Sequence, residues 1–208
     1  LVHYSTDYVF DGTKTGPYTE EDKPNPLNVY GKTKLAGERA IQSTWEKHLI
    51  FRTSWVYGMR GKNFLLTILE LAKEQDEIRV VDDQLGAPTW CRTIAKKTAE
   101  ALSRFFRTSP NSDAERLFGL YHLAASGCTS WFGFAKEILR LLPENCHSVS
   151  VLPIKTCEYP LLAKRPSNSL LHCGKMLSAF NAEMPAWDED LVHLVERLET
   201  EQHPHTAR

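Results

Sequence analysis

The feature that most constrains the fold is a strand, a helix and a second strand in direct succession near the start of the chain. Apolar runs of strand length lie at residues 1–5 and 48–54, and residues 26–45 form the predicted helix between them. Asn25 is the predicted cap of this helix, and Pro26 suits its first position. Strands joined in this way form a right-handed crossover, and strands so rich in large apolar residues are typical of covered parallel sheets. The sequence therefore predicts an α/β fold.

The rest of the chain continues to alternate helices and strands. Residues 82–89 are polar and rich in turn-forming residues, which indicates a segment outside the core, and residues 109–113 indicate an exposed linker. A frayed tail is expected from residue 199 onward. The predicted helices span residues 64–75, 93–106, 129–142, 175–180 and 187–198, and the predicted strands span residues 78–81, 119–124 and 149–154.

Composition excludes several classes of protein. The 25 basic and 26 acidic side chains are spread along the chain without a basic block, so nucleic acid is not expected as a partner. The apolar runs are too short for a membrane span, so no membrane association is expected. The five cysteines include no Cys-x-x-Cys pair and the eight histidines do not cluster, so neither a disulfide framework nor a metal site is predicted. These features favour a reducing, cytoplasmic location.

The start of the chain suggests a fragment of a longer protein. The sequence begins without methionine, inside a predicted strand. A complete dinucleotide-binding domain has a glycine-rich turn after its first strand, and none of the eleven glycines here forms that pattern.

Tyr30 and Lys34 are four residues apart on the first predicted helix, so their side chains lie on one helix face. A free phenol has a pKa of about 10 and is a poor acid at neutral pH. A lysine charge at about 5 Å lowers such a pKa by roughly two units. The pair therefore suits the proton donor of a nicotinamide-dependent oxidoreductase. The spacing alone suits equally well a tyrosine packed on a helix and a solvated lysine.

Five segments of the chain resemble a known family in order and in spacing. Together they resemble dTDP-4-dehydrorhamnose reductases, a family of the extended short-chain dehydrogenase/reductase superfamily. The Tyr-x-x-x-Lys pattern is common to the superfamily, whereas the first, fourth and fifth segments are more specific to the reductases. The segments are Val2–Phe10, Pro26–Glu38, Phe51–Tyr57, Asp83–Thr89 and Arg165–Ser169.

The resemblance implies an activity and its cofactor. The family reduces the C4 ketone of dTDP-4-dehydro-L-rhamnose with NADPH or NADH and forms dTDP-L-rhamnose, a precursor of surface polysaccharides. The missing part would be the amino-terminal half of a Rossmann-type domain, which carries the phosphate-binding glycines. Mg²⁺ and a homodimer are further features that the resemblance allows.

The resemblance also assigns roles to six residues. Tyr30 would donate the proton, and Lys34 would hold the nicotinamide ribose and lower the pKa of the phenol. Thr6 would polarise the substrate carbonyl. The remaining three, Asp7, Tyr8 and Trp55, would contact the sugar nucleotide, although an acidic residue at a strand end can instead cap a turn and a tryptophan can instead be core.

Other residues receive weaker assignments. Asn63, Gln84 and Arg165 could serve the nucleotide or the diphosphate, since arginine binds phosphate oxygens in a fork. Trp131 is predicted to be core rather than a binding platform, and Trp90 has no assigned role.

The predicted architecture has two parts with a cleft between them. Residues 1–58 and 88–125 form the remaining, carboxyl-terminal part of a doubly wound Rossmann-type domain. Residues 59–87 and 126–200 form a smaller α/β substrate-binding domain, and residues 201–208 form a tail.

Two alternative functions stay open on the same fold. One is a non-catalytic regulatory subunit. The other is a sugar-nucleotide epimerase, which would keep the Tyr–Lys pair but retain its cofactor.

Overall fold

The computed structural model describes residues 1–107, 116–142, 149–159 and 162–202. It has an α/β fold, as predicted. Short 3₁₀ helices lie at Asp7–Val9 and Thr156–Glu158. The strands are β1 (Val2–Thr6), β2 (Leu49–Thr53), β3 (Val56–Tyr57), β4 (Glu77–Val81), β5 (Leu85–Gly86), β6 (Thr89–Trp90), β7 (Gly119–His122), β8 (Thr129–Ser130) and β9 (Ser150–Ile154). The helices are α1 (Val29–Thr44), α2 (Phe64–Glu74), α3 (Cys91–Arg107), α4 (Trp131–Arg140), α5 (Gly174–Phe180) and α6 (Trp187–Gln202).

A three-stranded parallel sheet in the order β1-β2-β7 carries the first part of the chain. The predicted strand–helix–strand unit is confirmed, because α1 connects β1 to β2 and the two strands pair in parallel. Thr6 lies opposite Thr53 at the carboxyl ends of these strands. In parallel α/β sheets this end is where ligands bind. The crossover therefore positions α1 beside the end of the sheet at which the site forms.

A hydrophobic cluster packs against this sheet. Segment 171–184, assigned by the sequence analysis to the substrate domain, packs against the sheet through Met176 and Phe180 of α5. These side chains contact the cluster that contains Leu49 and Phe51 of β2. The division into two domains stays a prediction. Helix α5, however, packs on the β1-β2-β7 sheet, which the sequence analysis placed in the other domain.

A second core lies around the parallel pair β4 and β9. Helices α2, α4 and α6 contribute Leu65, Phe134 and Leu194, all fully buried. Ile138 of α4 faces the same core, as expected for an amphipathic helix. In the described part of the chain, no helix is both long and apolar enough to cross a membrane.

Helix α1 begins later than predicted. It starts at Val29, with Asn28 as the cap whose side chain accepts a hydrogen bond from the Gly31 amide at 2.9 Å. Asn25 instead donates its side-chain amide to Asp11 at 2.8 Å and ties the preceding loop. A residue before proline avoids helical backbone, which explains why Asn25 and Pro26 do not begin the helix.

The prediction that residues 82–89 lie outside the core is wrong. Gln84, Ala87 and Thr89 are all buried, and Thr89 is completely inaccessible. The polar groups of this segment are satisfied internally. The Thr89 hydroxyl donates to the Ala87 carbonyl at 3.1 Å and accepts from the Ala125 amide at 3.0 Å. Turn-rich composition therefore did not reveal its burial.

The remaining sequence predictions fall at the ends of elements. The predicted linker at 109–113 lies outside the described residues. The predicted tail began at 199, or at 201 in the domain division, but α6 continues through Gln202. The helix predicted from residue 129 begins at Trp131, because Thr129 and Ser130 form β8 and Ser130 caps the helix.

Gly31 allows α1 to lie against the 3₁₀ helix, and its replacement gives a test of this contact. A Cβ atom at Gly31 would lie 2.1 Å from the Tyr8 carbonyl oxygen, whereas one at Gly37 would have His3 Nε2 at 3.9 Å as its nearest neighbour. We expect Gly31→Ala to lower the free energy of unfolding by about 1–3 kcal/mol, since the backbone must move.

Gly37→Ala on the same helix is the matched control. It removes a helical glycine without a clash and should raise the free energy of unfolding by about 0.5–1 kcal/mol. Urea unfolding of both variants measures the difference. Equal effects of the two substitutions would contradict the proposed close approach.

Candidate active site

A cleft of about 310 Å³ opens at the carboxyl ends of β1 and β2. The structure brings together five of the six residues that were singled out in the sequence, namely Thr6, Asp7, Tyr8, Tyr30 and Trp55. Lys34 does not line the cleft. The other lining residues are Ser5, Thr53, Val56 and Trp131.

Thr6 ends β1 and caps the 3₁₀ helix that follows. Its hydroxyl oxygen accepts a hydrogen bond from the Tyr8 amide at 3.2 Å, and its hydroxyl proton is donated to Asp7 Oδ1 at 2.9 Å. A threonine hydroxyl has one proton to donate. Thr6 can therefore donate to a substrate oxygen only when it releases Asp7 or when Asp7 itself carries a proton.

Asp7 is a buried carboxyl group beside the cleft. It is 3% exposed, and its Oδ2 atom has no hydrogen-bond partner. Burial raises the pKa of Asp7 to about 7, against the smaller opposing effect of the hydrogen bond from Thr6. Asp7 thus has a free acceptor atom near the site and a carboxyl group that changes charge close to neutral pH.

Tyr30 lies in the first turn of α1 and is half exposed at the cleft. Its ring meets the Tyr8 ring edge-on, with centroids 6.0 Å apart. Burial is the main cause that raises the pKa of Tyr8 to about 12. Tyr8 is therefore a neutral hydrogen-bonding group beside the more exposed Tyr30.

Lys34 lies one helical turn after Tyr30, on the same face of α1. Its ammonium group donates to the backbone carbonyl of Tyr4 in β1. An ammonium group has three protons, so two remain for other acceptors. The structure thus holds Lys34 against the strand that leads to Thr6.

Trp55 adopts left-handed backbone geometry, with φ of 46°. Its indole stacks on Trp131, with ring centroids 3.5 Å apart and planes 4° apart. The indole N–H is donated to Ser169 Oγ at 3.0 Å. Gly86 packs against the same ring, where a Cβ atom would lie 2.4 Å from it. Trp55 therefore contributes an apolar surface to the cleft, since its N–H is already used.

Trp131 is a cleft residue that sequence reasoning missed. It packs on the core, as predicted, and also lines the cleft. It is the first residue of α4, whose amphipathic pattern alone cannot separate a core tryptophan from a binding one. No local signal in the sequence distinguishes the two roles.

Comparison with known proteins places the chain in a family. The sequence profile of the RmlD substrate binding domain matches residues 1–200. The chain belongs to the RmlD substrate binding domain family.

Several relatives of this chain are named dTDP-4-dehydrorhamnose reductase. The chain is 49% identical to the dTDP-4-dehydrorhamnose reductase of Burkholderia thailandensis, over 90% of this chain and 64% of the relative. It is 43% identical to the reductase of Escherichia coli strain K12, over 96% of this chain and 66% of the relative. The chain thus spans a little under two thirds of the length of these relatives.

Solved structures of the family have the same fold. A dTDP-4-dehydrorhamnose reductase from Clostridium acetobutylicum matches with a TM-score of 0.84 and 38% identity, over 95% of this chain and 65% of that one. The reductase from Bacillus anthracis, solved in complex with NADP, matches with a TM-score of 0.80 and 37% identity over the same shares. UDP-galactose 4-epimerase, at 17% identity and a TM-score of 0.71, shares the fold.

A second groove of about 200 Å³ lies beside the cleft, and Trp131 lines both. Gln84 and Arg165, which the sequence analysis linked to the nucleotide, line this groove together with Phe64 and Tyr159. The side-chain amide of Gln84 donates to Thr156 Oγ1 at 3.0 Å. The groove is mainly apolar, and two arginines, Arg79 and Arg165, are among its lining residues.

Asn63 and Trp90 make contacts within the fold. Asn63 caps α2 by accepting from the Leu66 amide at 3.2 Å and donates to the Gly58 carbonyl at 2.9 Å. Trp90 is buried in the core around β4 and β9.

The segment Arg165–Ser169 mostly holds loops together. Asn168 donates its side-chain amide to the carbonyls of Lys14 and Gly16 at 2.7 and 2.8 Å. Ser167 donates to the Gly12 carbonyl at 2.9 Å. Ser169, as described above, orients Trp55. Among the described residues, no group of three or more His, Cys, Asp or Glu side chains could hold a metal ion.

The raised pKa of Asp7 predicts a pH-dependent stability. A carboxyl group whose pKa is higher in the folded state favours folding while it is protonated, and this contribution is lost as the pH rises through about 7. As the pH is raised from 5 to 8, the free energy of unfolding of Asp7→Asn should therefore increase relative to that of the wild type. We expect a gain on the order of 3 kcal/mol in urea unfolding.

Asp11→Asn is the control for this experiment. Hydrogen bonds, the largest from the Thr13 amide, lower the pKa of Asp11 to about 2, so both proteins keep a constant charge at this position between pH 5 and pH 8. Its effect on unfolding should be the same at both pH values. A pH-independent effect of Asp7→Asn as well would exclude a titrating Asp7.

Proposed function

We propose that the protein to which this chain belongs reduces the C4 ketone of dTDP-4-dehydro-L-rhamnose to dTDP-L-rhamnose, with NADPH or NADH as the reductant. The observation that carries the proposal is the single cleft that contains Thr6, Asp7, Tyr8 and Tyr30. It lies at the sheet end where α/β proteins bind ligands. Membership in the family, with relatives that bear this enzyme name, supports the choice of substrate.

Tyr30 is the proposed proton donor. It is the more exposed of the two tyrosines in the cleft, so its hydroxyl can reach a bound ketone. As the carbonyl carbon accepts hydride, the Tyr30 hydroxyl gives its proton to the carbonyl oxygen and the product is an alcohol. The positive charge of Lys34, one turn away, stabilises the phenolate that remains until solvent returns the proton.

The side chains of Tyr30 and Lys34 fit one end of a nicotinamide cofactor. Lys34 has two ammonium protons beyond the one bound to the Tyr4 carbonyl, which suits the hydroxyls of a ribose. When bound, the reduced nicotinamide supplies the hydride. No glycine-rich phosphate cradle occurs among the eleven glycines of this sequence. We propose that these residues hold the ribose of the nicotinamide cofactor, whether NADPH or NADH.

The sugar would contact the remaining cleft residues. The unpartnered Oδ2 of buried Asp7 can accept from a sugar hydroxyl, and Tyr8 can donate to one. Thr6 would polarise the ketone oxygen once its proton is free from Asp7. The stacked indoles of Trp55 and Trp131 offer an apolar surface to the sugar ring.

The nucleotide would occupy the second groove. Trp131 lines both depressions, so a ligand that passes over this ring reaches from the sugar site to the groove. Arg165 at the groove can bind the diphosphate, and Phe64 can contact the thymine ring.

The cellular location and the oligomeric state are separate proposals. The described cysteines, Cys91, Cys128, Cys157 and Cys173, are free thiols, which supports a reducing, cytoplasmic location. A homodimer stays a prediction.

Net oxidation of the cofactor distinguishes this proposal from its rivals. The full-length protein is mixed with NADPH and the 4-keto sugar nucleotide, and absorbance at 340 nm is followed. A reductase consumes one NADPH for each ketone reduced. An epimerase retains its cofactor and a regulatory subunit does no chemistry, so a constant absorbance would reject the proposal.

Removal of the Tyr30 hydroxyl tests the proton donor. We expect Tyr30→Phe to lower kcat by about 10²–10⁴-fold, the usual contribution of a general acid, while substrate binding changes little. Steady-state kinetics at 340 nm measures the effect. Tyr121→Phe is the control: it removes a hydroxyl that donates to the Leu117 carbonyl at 2.9 Å, away from the cleft, and should keep wild-type turnover. Full turnover in Tyr30→Phe would reject this role.

Removal of the Arg165 guanidinium tests the nucleotide groove. We expect Arg165→Ala to raise KM for the sugar nucleotide about tenfold or more with little change in kcat, since a charged contact to phosphate is lost in ground state and transition state alike. Arg140→Ala is the matched control, because Arg140 is exposed and pairs with Glu137 on α4. If both variants have the wild-type KM, the diphosphate binds elsewhere.

A further inference from the structure

Glu38 is the last residue of the family-like segment that contains Tyr30 and Lys34, and the proposed mechanism does not use it. The three side chains follow one another at intervals of four on the same face of α1. Tyr30 is half exposed, Lys34 is partly buried, and Glu38 is 1% exposed. The face that presents the proton donor to the cleft therefore ends in a fully buried carboxylate.

The partners of Glu38 come from the two strands that end at the cleft. Arg52 of β2 donates from Nε to Glu38 Oε1 at 2.9 Å and from Nη2 to Oε2 at 2.6 Å. Ser5 of β1 donates its hydroxyl to Glu38 Oε1. One carboxylate thus joins α1, β1 and β2 through three hydrogen bonds.

These contacts lie next to the residues of the site. Ser5 directly precedes Thr6, and Arg52 directly precedes Thr53, which also lines the cleft. The two parallel N–H···O bonds of a guanidinium–carboxylate pair fix both distance and orientation, which an apolar contact of the same size does not. The position of Tyr30 relative to Thr6 therefore depends on how Glu38 is held.

Other groups around Arg52 do not replace Glu38. The guanidinium lies over the Phe10 ring at 5.1 Å, and Nη1 has no hydrogen-bond partner among the described residues. His122 is adjacent on β7, but burial, assisted by the charge of Arg52, lowers the pKa of His122 to about 3, so it is neutral. Glu38 supplies the hydrogen bonds and the countercharge of this buried cation.

We propose that Glu38 and Arg52 are positioning residues, which fix α1 on β1 and β2 so that the Tyr30 hydroxyl faces the substrate carbonyl beside Thr6. The proposal rests on the proposed reductase function. It assigns a task to a buried ion pair that makes no contact with the substrate.

Substitutions that separate charge from geometry test the proposal. Arg52→Lys keeps the positive charge but loses the two-pronged hydrogen bond. A double variant, Glu38→Met with Arg52→Met, removes both charges, which avoids leaving one of them unpaired in the core. The control is Met176→Ala, which makes a cavity on α5 in the core of the same sheet and touches neither Glu38 nor the cleft.

The measurements use the full-length protein with NADPH and the 4-keto sugar nucleotide. For Arg52→Lys and for the double variant we expect kcat to fall at least tenfold, KM to stay within threefold, and the solvent deuterium isotope effect on kcat to rise. The isotope effect should rise because misplacing Tyr30 slows proton transfer in particular. Met176→Ala should keep the wild-type kcat and isotope effect, even if its Tm falls as much as that of Arg52→Lys or of the double variant.

A second readout does not depend on turnover. Tyrosine ring carbons are labelled with ¹³C, and the Tyr30 resonance is assigned by its loss in Tyr30→Phe. This resonance should move in Arg52→Lys and in the double variant but not in Met176→Ala. If wild-type protein does not oxidise NADPH, the proposed function fails, and the resonance still decides whether the pair positions Tyr30. An unmoved resonance, or wild-type kcat and isotope effect in the double variant, would overturn the inference.

Discussion

The structure around the site depends on one buried ion pair, Arg52 with Glu38. Taking two charges out of water costs several kcal/mol for each ion, and only well-formed hydrogen bonds offset this. Here the carboxylate receives two bonds from Arg52 and one from Ser5. The pair contributes geometry more than net stability, because it links the helix that carries Tyr30 to both strands that end at the cleft.

The cleft itself is built from groups that already satisfy one another. The Thr6 hydroxyl donates a hydrogen bond to Asp7, and the Trp55 indole N–H donates one to Ser169. What remains for a ligand includes the unpartnered carboxylate oxygen of Asp7, the unpartnered hydroxyl of Thr53, the phenols of Tyr8 and Tyr30, and the indole surface of Trp55 and Trp131. This division suits a polar sugar with one reactive carbonyl, since acceptor, acid and apolar surface each lie on a different element.

Epimerases of the same fold show that a Rossmann-like sheet does not by itself select a reaction. In this chain, segment 82–89 passes below Trp55 and segment 165–169 crosses from the groove to the loop after β1. Gly86 and Ser169 together hold the Trp55 ring from two segments that are far apart in the sequence. Gly86 and Ser169 therefore shape the wall of the site at Trp55.

The sequence by itself determined the α/β fold and the β1–α1–β2 crossover, because apolar periods are local properties. The group Thr6, Asp7, Tyr8 and Tyr30 was singled out through the resemblance of their segments to a known family, since spacing alone does not separate a site residue from a packed one. Tertiary structure decided what those signals cannot contain. It buried the turn-rich segment around Thr89 by pairing its polar groups, and it brought Trp131 from a distant helix onto Trp55. It also paired Glu38 of α1 with Arg52 on the neighbouring strand. Each of these outcomes needs contacts between residues far apart in the chain, and no local pattern encodes them.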